Sequence, residues 1–186
     1  MSANQMKAYA PSATPDAQLL TRAAAGERDA FTELVERHHA ELVRITYAIT
    51  GDIDTARDAA QTAWIKAWQR LPSVREADKL RAWLIAIAAN EARQHIRAQR
   101  RRNVREISPI VGEREGSDTA PSSVAHIDLS AALMRLGAAD RQLLAMRYLG
   151  GLTAEEIGSV TGSSASNVRT RLSRLVGRLR QELGNE

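Results

Sequence analysis

Apolar positions in this chain recur at helical spacing. Phe31, Leu34, Val35, Leu42, Ile45 and Ile49 form one such run, which Gly51-Asp52 ends. Asp54 then caps a long helix through Leu71, on which Ala56, Ala60, Trp64, Trp68 and Leu71 make one inward stripe. Pro72 breaks that helix, residues 73–78 form a polar loop, and a further helix runs from near Lys79 through Trp83, Leu84 and Ile87 into a cluster of arginines. Ahead of these, Asp16 caps a first helix carrying Leu19 and Leu20. Residues 1–14, rich in Ser, Ala and Pro, read as a flexible tail. The first folded block is therefore 15–105.

Periodicity then lapses. Residues 106–126 hold Pro, Gly, Ser and acids with no sustained apolar pattern and read as an acidic linker. A second block, 127–186, opens with the stripe Leu129, Leu133 and Leu136, continues through Leu143, Leu144 and Tyr148, and is closed by Gly150-Gly151. Thr153-Ala-Glu-Glu156 is a capping box that starts a short helix with Ile157 and Val160, ended at Gly162. Ser163-Ser164 supplies a turn and a new N-cap. Val168, Leu172, Leu175 and Leu179 form the inner face of the helix that follows. A short helix, a glycine-containing turn and a longer helix make a helix-turn-helix. Ser166, Asn167, Thr170 and Arg174 lie opposite the inner face, with Arg171 and Arg178 flanking. Hydroxyl, amide and guanidinium groups on one face suit base edges and phosphates. The fold class expected is all-α, with two helical domains.

Composition narrows the chemistry. Aromatic residues make up 4% of the chain, so alanine and leucine carry most of the 44% apolar content. No apolar run approaches the roughly 20 residues of a membrane span, and no secretory signal is visible behind Lys7. The expected location is cytoplasmic. With no cysteine, disulfides, thiolate metal sites and thiol catalysis are excluded. His38 and His39 diverge on a helix and read as packing or surface residues, so neither a metal nor a cofactor is expected, and no catalytic set is seen. The net charge of +4 is unevenly spread. Residues 93–105 hold six arginines and no acid, a pattern suited to phosphate, whereas residues 106–128 hold five acids against one arginine.

These motifs, in this order, resemble a bacterial sigma factor of the extracytoplasmic-function (ECF) type over residues 16–186. The run from Asp54 to Trp68 is similar to that family's polymerase-binding helix, and Trp83 to Asn90 followed by Arg97 to its promoter-melting and −10-reading segment. Gly151 to Leu172 resembles its −35-reading helix-turn-helix. Arg57 and Thr62 depart from the acids usual there.

The resemblance implies core RNA polymerase (its clamp coiled coil and flap), promoter DNA and an anti-sigma factor as partners. It implies a polymerase patch of Asp54, Asp58, Gln61, Thr62 and Ile65. The −10 contacts would be Arg75, Lys79, Arg81, Asn90, Arg93, Arg97, Arg100 and Arg101, with the 72–82 loop receiving a flipped base. The −35 contacts would be Ser166, Asn167, Arg169, Thr170, Arg171, Arg174 and Arg178. Glu106, Glu113, Glu115 and Asp118 of the linker would imitate nucleic-acid charge in the polymerase's RNA channel or serve as a plain spacer. The alternatives are a sigma-like decoy that binds an anti-sigma factor without DNA, and an autonomous helix-turn-helix regulator. The decoy has no need of the arginine cluster, and the regulator leaves the first block unexplained.

Overall fold

A computed structural model of the chain describes residues 15–74, 76–105 and 124–184. The first half is built from α1 (Asp16–Ala24), α2 (Arg28–Thr50), α3 (Ile53–Arg70) and α4 (Leu80–Arg105), with 3₁₀ turns at Leu71–Ser73 and Ala77–Lys79 between the last two. The second half holds α5 (Val124–Arg135), α6 (Ala138–Leu144), which runs on as a π turn at Ala145–Leu149, α7 (Ala154–Thr161) and α8 (Ala165–Gly184). Among the described residues there is no strand. Arg75 and the linker acids Glu106, Glu113, Glu115 and Asp118 lie outside the described residues.

Asp52, not Asp54, caps α3: its Oδ1 accepts from the Thr55 N–H at 2.8 Å, and Asp54 sits in the first turn. From that start α3 buries Ala56, Ala59, Ala60, Ala63 and Ala67. These small side chains let α2 and α4 come close on either side. Leu34, Leu42, Ile45 and Ile49 of α2 fill the space between, all at most 1% exposed. The Thr46 hydroxyl adds a buried link, 2.9 Å from the Ala56 carbonyl. The expected stripe on α3 breaks at Trp68, which is 36% exposed and meets Phe31 at a ring separation of 4.8 Å. His38 packs, and His39 is a surface residue. His38 is buried with Nε2 2.9 Å from Asp16, which also bonds Arg37, and His39 Nδ1 accepts from the Trp64 indole at 3.2 Å.

Two further expectations fail in the second half. Leu129 and Tyr148, expected on buried stripes, are 39% and 62% exposed. In the π turn, Gly150 N–H bonds the Ala145 carbonyl at 2.9 Å, five residues back, so the helical register shifts and Tyr148 turns outward.

The two halves are not held apart. Leu136, Leu143, Leu144, Met146 and Leu152 join the first half's core in one continuous cluster. Arg141, 7% exposed, donates from Nε to the Ile49 carbonyl at 2.6 Å and from Nη1 to those of Met134 and Leu136 at 3.2 and 2.6 Å.

Glu91 of α4 is 4% exposed and is held by Lys66 of α3 at 2.6 Å, with Gln94 at 3.3 Å. Removing only the cation would leave a buried carboxylate without its charge partner. Lys66→Met should therefore destabilise the chain by about 2 kcal/mol, below the range for a fully buried pair because Lys66 is partly solvated. The double variant Lys66→Met/Glu91→Leu should recover most of that loss. Urea unfolding of the three chains measures it.

Candidate nucleic-acid interface

The expected polymerase patch forms one face of α3. Asp54, Asp58, Gln61 and Ile65 are exposed and Thr62 half-buried, spaced so that all five share a side of the helix. Asp54 stands 4.0 Å from Arg57, and the Thr62 hydroxyl donates to the Asp58 carbonyl at 2.9 Å. Ile65 is 54% exposed, an apolar side chain set among acids and amides.

The expected −10 residues do not gather in one place. At 1.5 Å per residue, Arg81 and Arg101 are separated by roughly 30 Å along α4. At the near end Lys79 pairs with Glu76 at 2.5 Å, a bond that holds its ammonium above the usual lysine range. Arg81 is clamped by both Glu41 oxygens at 2.5 and 3.1 Å. At the far end Arg97 and Arg101 line an open groove of about 620 Å³ together with Glu91, Gln94, His95, Ala98 and Arg102. Arg100 is exposed beside it. In the middle, Asn90 and Arg93 both meet one residue that sequence reasoning missed. Gln142 donates from Nε2 to Asn90 Oδ1 at 3.0 Å and accepts from Arg93 at 2.8 Å. Burial pushes the Arg93 guanidinium below its usual range, and the nearby charges of Arg97 and Arg171 push it further.

The helix-turn-helix forms as expected. Thr153 and Glu156 exchange the two capping-box bonds at 3.1 and 2.7 Å. Ser164 caps α8 by accepting from the Asn167 N–H at 3.2 Å. Between the helices Gly162 takes a left-handed conformation, φ 70°. Gly158 permits the close approach of the turn, because a Cβ there would stand 2.6 Å from the Ser163 carbonyl oxygen. Val168, Leu172 and Leu175 are buried beneath.

Ser166, Asn167, Arg169, Thr170, Arg171, Arg174 and Arg178 are all exposed along α8. Arg169 pairs with Glu155 at 2.6 Å, and Arg171 with Asp140 at 2.8 Å. The Glu155 carboxyl is held below its usual range by backbone N–H donation at the start of α7 and by Arg169. Among the described residues, no acid pairs with Arg174 or Arg178.

This arrangement has close relatives. The description Sigma-70 region 2 matches residues 34–102, and Sigma-70 region 4 matches residues 126–179. The ECF RNA polymerase sigma factor SigL of Mycobacterium tuberculosis is 32% identical over 87% of this chain and 95% of its own length. This chain is an ECF sigma factor. It is also similar to the probable RNA polymerase sigma factor RfaY of Xanthomonas campestris, 31% identical over 91% of this chain, and to the ECF sigma factor BldN of Streptomyces coelicolor, 27% identical over 91%. It spans 45% and 66% of those two proteins' lengths.

Two solved structures share the fold at 25% identity. One is RpoE in complex with the anti-sigma factor NepR from Bartonella quintana, with a TM-score of 0.70 over 83% of this chain and 96% of that one. The other is CnrH in complex with the cytosolic domain of CnrY, at 0.62 over 91% and 95%. No helix among the described residues is long and apolar enough to cross a membrane.

The two glycines in the region-4 helices should respond oppositely to a methyl group. Gly158→Ala should cost about 1–3 kcal/mol, because the Ser163 backbone has to move. Gly177→Ala on α8, where nothing lies within 4 Å of the new carbon, should stabilise by about 0.5–1 kcal/mol. Thermal unfolding of both variants tests the pair.

Proposed function

We propose that this sigma factor binds core RNA polymerase through α3, reads −35 duplex with α8, and helps open and hold −10 DNA with α4. The observation that carries the reading is the exposed, hydroxyl-, amide- and arginine-bearing face of α8, set on a formed helix-turn-helix in the same chain as an acid-poor arginine cluster on α4. The α8 face offers guanidinium groups for bidentate bonding to guanine in a major groove. The groove at the far end of α4 offers phosphate contacts without base selectivity. No covalent chemistry is assigned to the chain; the polymerase makes the RNA.

On α3, Asp58 and Gln61 with exposed Ile65 combine polar edges and an apolar centre, which suits a protein partner more than DNA. An anti-sigma factor is assigned as regulator on the likeness to RpoE and CnrH, whose structures are complexes. The work is placed in the cytoplasm, where bacterial transcription occurs.

Run-off transcription with purified core polymerase on a promoter library tests the role. Transcripts from a defined promoter set are expected; none, with intact core binding, would favour a decoy. Arg171→Ala/Arg174→Ala should relax preference at particular −35 bases, since removing a bidentate arginine–guanine pair costs about 1–3 kcal/mol. An unchanged −35 preference would remove α8 from base reading.

Replacing Asp58 and Gln61 together with Ala should weaken core capture while leaving the helical circular-dichroism signal intact. Undiminished capture would move the docking surface off α3.

A further inference from the structure

Two cavities meet at Arg93. The first, of about 210 Å³, lies between α3 and α4, where Lys66 and Arg70 of one helix face Arg93 and Arg97 of the other. The second, of about 310 Å³, is bordered by Arg93, by Arg171 of α8 and by the turn residues Thr161, Gly162 and Ser163. Of these five cations, Lys66 pairs with Glu91 at 2.6 Å and Arg171 with Asp140 at 2.8 Å. Among the described residues, Arg70, Arg93 and Arg97 form no ion pair. Three guanidinium charges are thus gathered with no anion to balance them. Glu91 borders the first cavity, but it is 4% exposed and already held by Lys66.

Like charges gathered at a partly buried site repel one another. The crowding shows at Arg93, where burial and then the charges of Arg97 and Arg171 hold the guanidinium below its usual range. Its bond to the Gln142 amide oxygen at 2.8 Å uses one N–H donor and supplies no charge. That bond does fix the arginine in place, because Gln142 is 3% exposed and is itself tied to Asn90 at 3.0 Å. A guanidinium already positioned loses little freedom when a ligand arrives.

We propose that this cluster is a binding site for a small phosphoryl anion, pyrophosphate or the phosphate chain of a nucleotide, seated on Arg93 with Arg70 and Arg97 on one side and Arg171 on the other. Phosphoryl oxygens point in several directions, so guanidinium groups from three helices can bond one ligand at once. A carboxylate offers two oxygens in one plane and a single charge, too little for three uncompensated arginines. The larger cavity stands at the lower end of ligand-pocket sizes, roughly 300 Å³ and upward, which suits a ligand of a few phosphoryl groups. The site is independent of promoter reading: its test uses the free chain and no DNA, so its failure leaves that reading untouched.

Titration calorimetry on the full free chain, with pyrophosphate, ADP and adenosine in turn at constant ionic strength, is the measurement. Pyrophosphate and ADP should each saturate a single site, and adenosine should give no binding heat. Affinity for ADP about tenfold above that for pyrophosphate would assign the site to nucleotides, and equal affinity would assign it to the anion alone. Either result supports the phosphoryl site. No saturable binding of pyrophosphate or ADP, or adenosine binding as well as ADP, overturns it.

Arg93→Gln should weaken pyrophosphate binding by about tenfold or more, the loss of a charge-assisted contact. Arg70→Gln changes an exposed side chain, leaves the packing intact and should weaken binding severalfold. Arg174→Gln, on α8 but outside both cavities, should leave binding unchanged. Equal losses in Arg93→Gln and Arg174→Gln would mean diffuse attraction to a basic surface and would overturn the site. Full affinity in both Arg93→Gln and Arg70→Gln would overturn it too.

Discussion

Between Leu84 and Ala89 helix α4 turns no face to water. Residues 84–89 are buried without interruption, and six consecutive helical positions sample every direction around the axis. A helix apolar all round needs cover all round. In this chain α2 and α3 supply it on one side, and α6, α7 and the π turn supply it on the other. Full burial of a side chain such as Ile85 or Met146 contributes about 1.5–3 kcal/mol. The seating of the second domain is therefore a consequence of how apolar α4 is, and it brings Arg93 of α4 and Arg171 of α8 to one cavity.

Polar groups then decide where on α4 the second domain sits. Arg141 is buried with three carbonyl partners and no carboxylate. Ile49 lies in the last turn of α2 and Met134 in the last turn of α5, where carbonyls lack partners within their own helices and the helix dipole is negative. One guanidinium thus ties together two helix ends from the two domains. Burial pushes it below its usual range, and the charge of Arg100 adds to this. An apolar side chain there would leave carbonyls at both helix ends without these donors, so the guanidinium is matched to its place although no anion faces it.

Much of the fold was legible because its signals are local. The capping box at Thr153, the turn at Gly162 and the buried faces of α2 and α8 each need only a few neighbouring residues. What sequence reading missed depends on register or on distant partners. Asp52 and Asp54 are equally good caps by type, and only the bond to Thr55 separates them. Trp68 continues the Trp64 stripe by spacing, yet it is 36% exposed beside Phe31 of α2. Tyr148 follows the Leu144 spacing, but the π turn inserts a residue that 3.6-residue periodicity does not count. Arg141 and Gln142 carry no local signal of burial; they are buried because Ile49, Asn90 and Arg93 lie opposite them.

The sites were legible as residue types and not as a constellation. Exposure of the α8 side chains follows from the face opposite Val168 and Leu172, so periodicity sufficed there. On α4 the expected contacts divide into a clamped end at Arg81, a covered middle at Asn90 and Arg93, and an open groove at Arg97 and Arg101. Arg97 and Arg101 stay accessible, whereas Asn90 and Arg93 are held by Gln142. From Arg105 to Val124 the chain spans at most roughly 65 Å when fully extended, and α4 and α8 extend roughly 39 and 30 Å. Those lengths together reach the roughly 80 Å between promoter elements. The covalent connection is therefore long enough for the separation that the proposed promoter reading demands, whereas Arg141, Gln142 and Ile85 hold the packed arrangement.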